Sequence, residues 1–124
     1  AIFGTPAKEM AAAIIDRLKR AYRIGVKLVF GTDSVAELPG KNRADMMLDY
    51  LSSWQAAEVS PADTLRAMTS NAAQLLRIEK KQGAIAAGFA ADIIATPADP
   101  LKDIQALRQL KFVMKDGKVV RRDQ

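Results

Sequence analysis

Apolar residues recur at helical spacing through the first part of this chain and alternate singly toward its end. Met10, Ile14, Leu18, Ala21 and Tyr22 follow one another at three- and four-residue steps, with Asp16, Lys19, Arg20 and Arg23 on other faces. That spacing predicts an amphipathic helix of about four turns, opened by Thr5-Pro6 as cap and first-turn proline and closed by Gly25. Val26, Leu28 and Phe30 then alternate with Lys27 and Val29, which predicts a short buried strand running into Gly31-Thr32-Asp33-Ser34. Helix, glycine turn and strand make one αβ step of a parallel sheet. The polar loop through Leu38-Pro39-Gly40-Lys41 is long enough to fold over the strand's exit, and could be a substrate loop.

A second helix is predicted to about Ala57, because Asn42 and Asp45 have capping-box spacing and Met47, Tyr50, Leu51 and Trp54 follow at i, i+3, i+4 and i+7. Such a stripe can line a ligand pocket, but it is read here as core. Ser60-Pro61-Ala62-Asp63 starts a third helix, with Leu65 and Met68 on its buried side. Thr69-Ser70-Asn71 interrupts that helix or caps the next, in which Ala72, Ala73, Leu75, Leu76 and Ile78 suit close packing. Ser70 and Asn71 are conceivable site residues, although capping accounts for them without further assumption.

From Glu79-Lys80-Lys81-Gln82 the pattern changes to that of strands. Gly83 and Gly88 bracket Ala84 to Ala87, Ala91-Asp92 leads into Ile93-Ile94-Ala95, and Pro97 and Pro100 bound a turn. The paired glycines lack the following Lys-Ser/Thr of a phosphate loop. Asp99-Pro100 begins a helical turn with Ile104 and Leu107 inside, and Asp116-Gly117 between Lys111–Lys115 and Lys118–Arg122 is a strong two-residue hairpin signal.

At 124 residues there is room for one apolar core, and 49% hydrophobic with 27% charged residues is ordinary globular composition. The longest apolar stretch, near Ala11 to Ile15, falls far short of the ~20 residues of a membrane helix, so a soluble protein with no membrane partner is expected. Residue 1 is Ala and no leader pattern opens the chain, which suggests that upstream sequence has been removed or was never included. The compartment stays open between cytoplasm and periplasm or exterior. Cysteine and histidine are both absent, so thiolate or histidine metal sites and Ser-His-Asp chemistry cannot be built within the chain. The net charge of +5 is spread over every segment and lacks interleaved aromatics, which argues against a nucleic-acid module.

The first candidate for chemistry is Asp33. A strand ending in Gly-Thr-Asp delivers a carboxylate to the carboxyl edge of a sheet, where α/β enzymes place their sites. An Asp in that setting is equally an ordinary turn former or cap.

Five motifs in one order carry a resemblance: G-T-D-S after the strand, S-P-A-D-T-L-R-A-M-T-S-N-A-A-Q-L-L, G-A-I-A-A-G-F-A-A-D-I-I-A, D-P-L-K-D-I and V-M-K-D-G-K-V-V. Together they resemble the C-terminal part of the metal-dependent amidohydrolase superfamily, nearest its imidazolonepropionase-like and prolidase-like dipeptidase branch, over Gly25 to Arg122. The resemblance implies an α/β chain that is the C-terminal portion of a (β/α)8 metal-dependent hydrolase barrel, followed by the returning strands of a small β-sandwich. Residues 1–78 would hold the last helix-strand-helix elements of the barrel, with Val26 to Phe30 as its eighth strand. Residues 79–124 would be the sandwich segment with its C-terminal hairpin. Asp33 would be both the metal-ligating and the catalytic carboxylate, the metal zinc or another divalent ion, and the substrate a small amide or dipeptide.

The family's histidine ligands have no counterpart here, so this chain alone is expected to hold no metal and to be inactive. It is expected to rest against the remainder of the enzyme or to self-associate, the alternative being a non-catalytic structural or oligomerising fragment of the same fold.

Overall fold

Short-range capping sets the helical half of the structure. A computed structural model describes residues 7–33 and 39–123. Thr5, Pro6, Ser34 and Leu38 lie outside the described residues. Helix α1 spans Ala7–Arg23. It closes in a Schellman motif, with the Val26 N–H on the Ala21 carbonyl and the Gly25 N–H on the Tyr22 carbonyl, both at 3.0 Å, while Gly25 takes φ +77. Helix α2, Arg43–Ala56, opens with the predicted capping box between Asn42 and Asp45. It ends in the same motif, but with Glu58 at φ +62 in the position usually held by glycine. The Glu58 carboxylate pairs with Lys19 and Arg23 of α1, which ties the two helix ends together.

Helix α3 spans Pro61–Met68, capped by the Ser60 hydroxyl, which accepts from the Asp63 N–H at 3.1 Å. Helix α4, Ser70–Leu75, follows directly and ends with Arg77 at φ +60. Three short strands complete the fold: β1 (Ile93–Ala95), β2 (Phe112–Lys115) and β3 (Lys118–Arg122), antiparallel in the order β1-β2-β3. Asp116 and Gly117, at φ +49 and +74, form the predicted two-residue turn, since a primed turn needs positive φ at both central positions. Ile93 pairs with Met114 and Ala95 with Phe112, and a register irregularity follows Val113 on the β3 side. A short 3-10 helix, Ile104–Arg108, is capped by Asp103 and leads into β2.

The core is two small clusters. Trp54, Ala57, Val59 and Ala67 pack with Ile15, Leu18, Tyr22, Leu28 and Phe30. Leu51, Ile104 and Leu107 pack with Phe30, Leu48, Leu65 and Met68. Phe30 belongs to both, its ring 5.1 Å from that of Trp54 and tilted 42°.

Several expectations change. Val26 to Phe30 forms no ladder with another strand among the described residues. Its alternation reflects packing of Leu28 and Phe30 on helices, and Val26 is exposed. Met47 and Tyr50 are 37% and 39% exposed, because only the Leu51 and Trp54 side of the α2 stripe meets the core. Ala84 to Ala87 forms no strand, and Ile85 is 85% exposed. Asn71 does not cap a helix; its side-chain amide donates to the Leu28 carbonyl at 2.9 Å.

Candidate functional site

The segment leading to Asp33 is held from one side by the helices. The Phe30 N–H donates to the Ala67 carbonyl at 3.0 Å, and the Asn71 amide donates to the Leu28 carbonyl two residues earlier. Leu28 and Phe30 face the core, as a period of two requires once either is placed. Beyond Phe30 the chain passes Gly31 and Thr32 to Asp33, whose side chain is exposed and whose φ is +47. A left-handed backbone is uncommon outside glycine, and Asp and Asn tolerate it best. Asp33 thus has the backbone of a turn former and the exposure of a reacting carboxylate. Its geometry is compatible with both.

A second carboxylate is far more engaged. Asp63 accepts from the Tyr22 hydroxyl at 2.6 Å and the Ser60 hydroxyl at 2.7 Å on one oxygen, and from Arg66 at 2.7 Å on the other. The Tyr22 bond first, then Ser60 and Arg66, hold its pKa below the ordinary aspartate value. This knot joins the last turn of α1 to the first turn of α3. Tyr22 reads in the sequence only as an apolar helical position and Asp63 only as a first-turn acid, so no sequence signal pairs them.

Asp49 on α2 is held low in the same way, by Lys41 first and then Arg108. Arg108 donates to Asp49 at 3.2 Å, to the Leu48 carbonyl at 2.8 Å and to Gln105 at 2.6 Å, and so binds the 3-10 helix to α2. These contacts explain why Arg108 stands where it does, and sequence reading did not single it out.

Asp33 is not among the lining residues of two clefts formed among the described residues. One, of about 320 Å³, lies at the opposite end of its segment, against Tyr22, Lys27, Asp63, Arg66 and Asn71. The other, of about 500 Å³, is an apolar groove between α4 and β1. Gly83 sits in that groove because a Cβ there would lie 2.6 Å from that of Ala73, which accounts for the glycine without a bound phosphate. Among the described residues no group of three or more His, Cys, Asp or Glu side chains could hold a metal ion, and no helix is long and apolar enough to cross a membrane.

Residues 7–120 match the Amidohydrolase family model, and the chain belongs to that family. A Xaa-Pro dipeptidase solved with methionine bound in its active site is similar at 32% identity and TM-score 0.76, over 87% of this chain and 25% of that protein. A protein from Bifidobacterium longum assigned as a prolidase is similar at 26% identity and TM-score 0.74, over 90% of this chain and 27% of that one. Molinate hydrolase is similar at 27% identity and TM-score 0.71, over 85% and 26% of the two chains. The chain therefore spans about a quarter of the length of these solved relatives. No curated protein matches it. The relatives agree with a fold of the (β/α)8-barrel type, and this chain is α/β with a small antiparallel sheet.

Proposed function

We propose that this chain is the C-terminal portion of an enzyme that hydrolyses amide or peptide C–N bonds, with Asp33 as its catalytic carboxylate. Residues 1–78 are assigned to the end of the barrel, and residues 79–124 to the returning strands of a β-sandwich. The observation that carries the proposal is the exposed Asp33 at the end of a segment pinned to α3 and α4, in a chain of this family. The dipeptidase and prolidase among its relatives favour a small dipeptide substrate.

Amide hydrolysis requires one proton to leave the attacking water and one to reach the departing amine. A carboxylate fixed beside both can carry it from the first to the second. A divalent metal such as zinc, when bound, would activate the water and polarise the carbonyl. A zinc site of this kind takes about three protein ligands. This chain has neither His nor Cys, so its own donors do not fit a complete site. Asp33 is assigned as one ligand of a set completed by other sequence.

Asp33→Asn in the complete enzyme, assayed as amine release from a panel of dipeptides, should lower turnover by about 10²–10⁴. Near-normal turnover would leave Asp33 a turn former. A non-catalytic, oligomerising fragment of the same fold is favoured by one observation, the exposed Met10, Ile14, Met47 and Tyr50 on α1 and α2.

A further inference from the structure

The turn between β2 and β3 consists of Asp116 and Gly117, at φ +49 and +74, and both residues are exposed. An aspartate followed by glycine is open to an internal reaction. The Gly117 amide nitrogen can attack Cγ of Asp116, because glycine has no Cβ to crowd the approach. The new C–N bond closes a succinimide ring, and a carboxyl oxygen leaves as water with the amide hydrogen and one further proton. Water then reopens the ring. Addition at the Cγ carbonyl restores aspartate, whereas addition at the main-chain carbonyl leaves the chain running through the side-chain carboxyl, as isoaspartate. Water is the only co-reactant.

Two contacts oppose that closure here. Asp92 Oδ1 accepts the Asp116 N–H at 2.7 Å, and the Ala91 carbonyl accepts the Gly117 N–H at 3.1 Å. The peptide planes on both sides of Asp116 are therefore tied to the residues just before β1. A primed turn also holds ψ of its first central residue at about +30°, which places the Gly117 nitrogen across the Cα–C bond from Cβ. Ring closure needs that nitrogen on the same side, so the peptide plane must rotate and the Ala91 bond must break. Lys115 pairs with the other Asp92 oxygen. Lys115 first, and then the Asp116 N–H, hold the Asp92 carboxyl below the ordinary aspartate pKa, which keeps it an ionised acceptor. The whole clamp lies between Ala91 and Gly117 and uses no other part of the enzyme.

We propose that Asp116 is a latent isoaspartate site and that Asp92 is the residue that keeps it from reacting. Isoaspartate would put an additional carbon into the main chain of a two-residue turn. Lys115 would then no longer oppose Lys118, and the hairpin would lose its register.

The test follows the complete enzyme in neutral buffer made with heavy-oxygen water. Each succinimide cycle leaves a heavy oxygen at residue 116, which mass spectrometry of the proteolytic peptide reads, and the isoaspartyl peptide separates by chromatography. The folded parent should label at least about 10-fold more slowly than the same enzyme unfolded in urea, since local opening must come first. Asp92→Ala should label about 10-fold faster than the folded parent, the size expected for one charge-assisted hydrogen bond, with unchanged circular dichroism. Asp92→Asn keeps the shape and an acceptor oxygen and should rise about threefold. Lys115→Met removes an exposed ion pair but not the acceptor, and should stay within about twofold of the parent.

Equal labelling of the folded and unfolded parent would overturn the proposal, as would labelling of Asp92→Ala at the parent's rate. If Asp92→Ala does not fold, Asp92→Asn decides, and the parent's rate in that variant has the same force. Absence of label at residue 116 in the unfolded enzyme would show that the site does not react, and loss of folded protein in both Asp92 variants would make Asp92 a residue of the fold. Either result ends the proposal.

Discussion

The 124-residue chain, expressed by itself, should associate. It exposes 9141 Å² for a mass of 13.5 kDa, where a compact monomer of that mass exposes about 6,500 Å². The excess, roughly 2,600 Å², exceeds the ~800 Å² that each partner contributes to an ordinary specific interface. Part of it is apolar and clustered: Met10 and Ile14, each 45% exposed, stand four residues apart on one face of α1. Fully burying such a side chain stabilises by about 1.5–3 kcal/mol. Covering the remaining exposed share is then worth about 1 kcal/mol per residue.

Two residues on each of two symmetric copies make about 4 kcal/mol, or on the order of 10³ in a dissociation constant, if this face lies at the contact. Met10→Glu with Ile14→Glu keeps good helix formers and leaves Ile15, Leu18 and Tyr22, the buried side of α1, untouched. Light scattering and sedimentation at micromolar concentration should find the parent associated and the double variant shifted toward monomer, with similar helical circular dichroism. A stable, well-folded parent monomer would refute the reasoning, because these elements would then cover one another unaided. Equal association of parent and variant would remove α1 from the contact.

The same chain, dialysed and analysed for metal, should hold far less than one zinc per molecule, since it lacks His and Cys; a tightly held ion with several ligands from this chain would contradict that. Asp63 gives a pH dependence. Its folded pKa lies below the unfolded value of about 3.9, so its stabilisation is present above that value and is lost as pH falls through the folded one. Asp63→Asn should flatten the acid limb of an unfolding titration, and parallel curves would mean that the Tyr22–Ser60–Arg66 knot contributes nothing. Gly83→Ala should lower stability by about 1–3 kcal/mol in thermal melts, because its Cβ would meet that of Ala73 at 2.6 Å on a backbone with φ +91. A neutral result would detach that loop from α4.

Local chemistry made much of the fold legible. The Asn42–Asp45 box, the Ser60-Pro61 start, the Gly25 stop and the Asp116-Gly117 turn each depend on residues within a few positions of one another, so the chain declares them without knowing its tertiary neighbours. The family, too, was legible, because five motifs in fixed order are hard to match by chance. Helix ends at Glu58 and Arg77 were not marked, since the glycine-like conformation there is imposed on ordinary residues and, at Glu58, accompanied by ion pairs to α1.

What only the tertiary structure decided is which groups meet across the chain. Periodicity identified the α2 stripe but not that Leu51 and Trp54 enter the core while Met47 and Tyr50 stay at the surface, for exposure depends on what lies opposite. Alternation identified Val26 to Phe30 as extended but could not say that helices would be its neighbours, because a period of two reports a half-buried face and is silent about what covers it. The Tyr22–Asp63 and Asn71–Leu28 bonds join residues some forty positions apart. Neither residue carries a local sign of its partner, because a hydrogen bond at that separation exists only after packing has closed the chain between them.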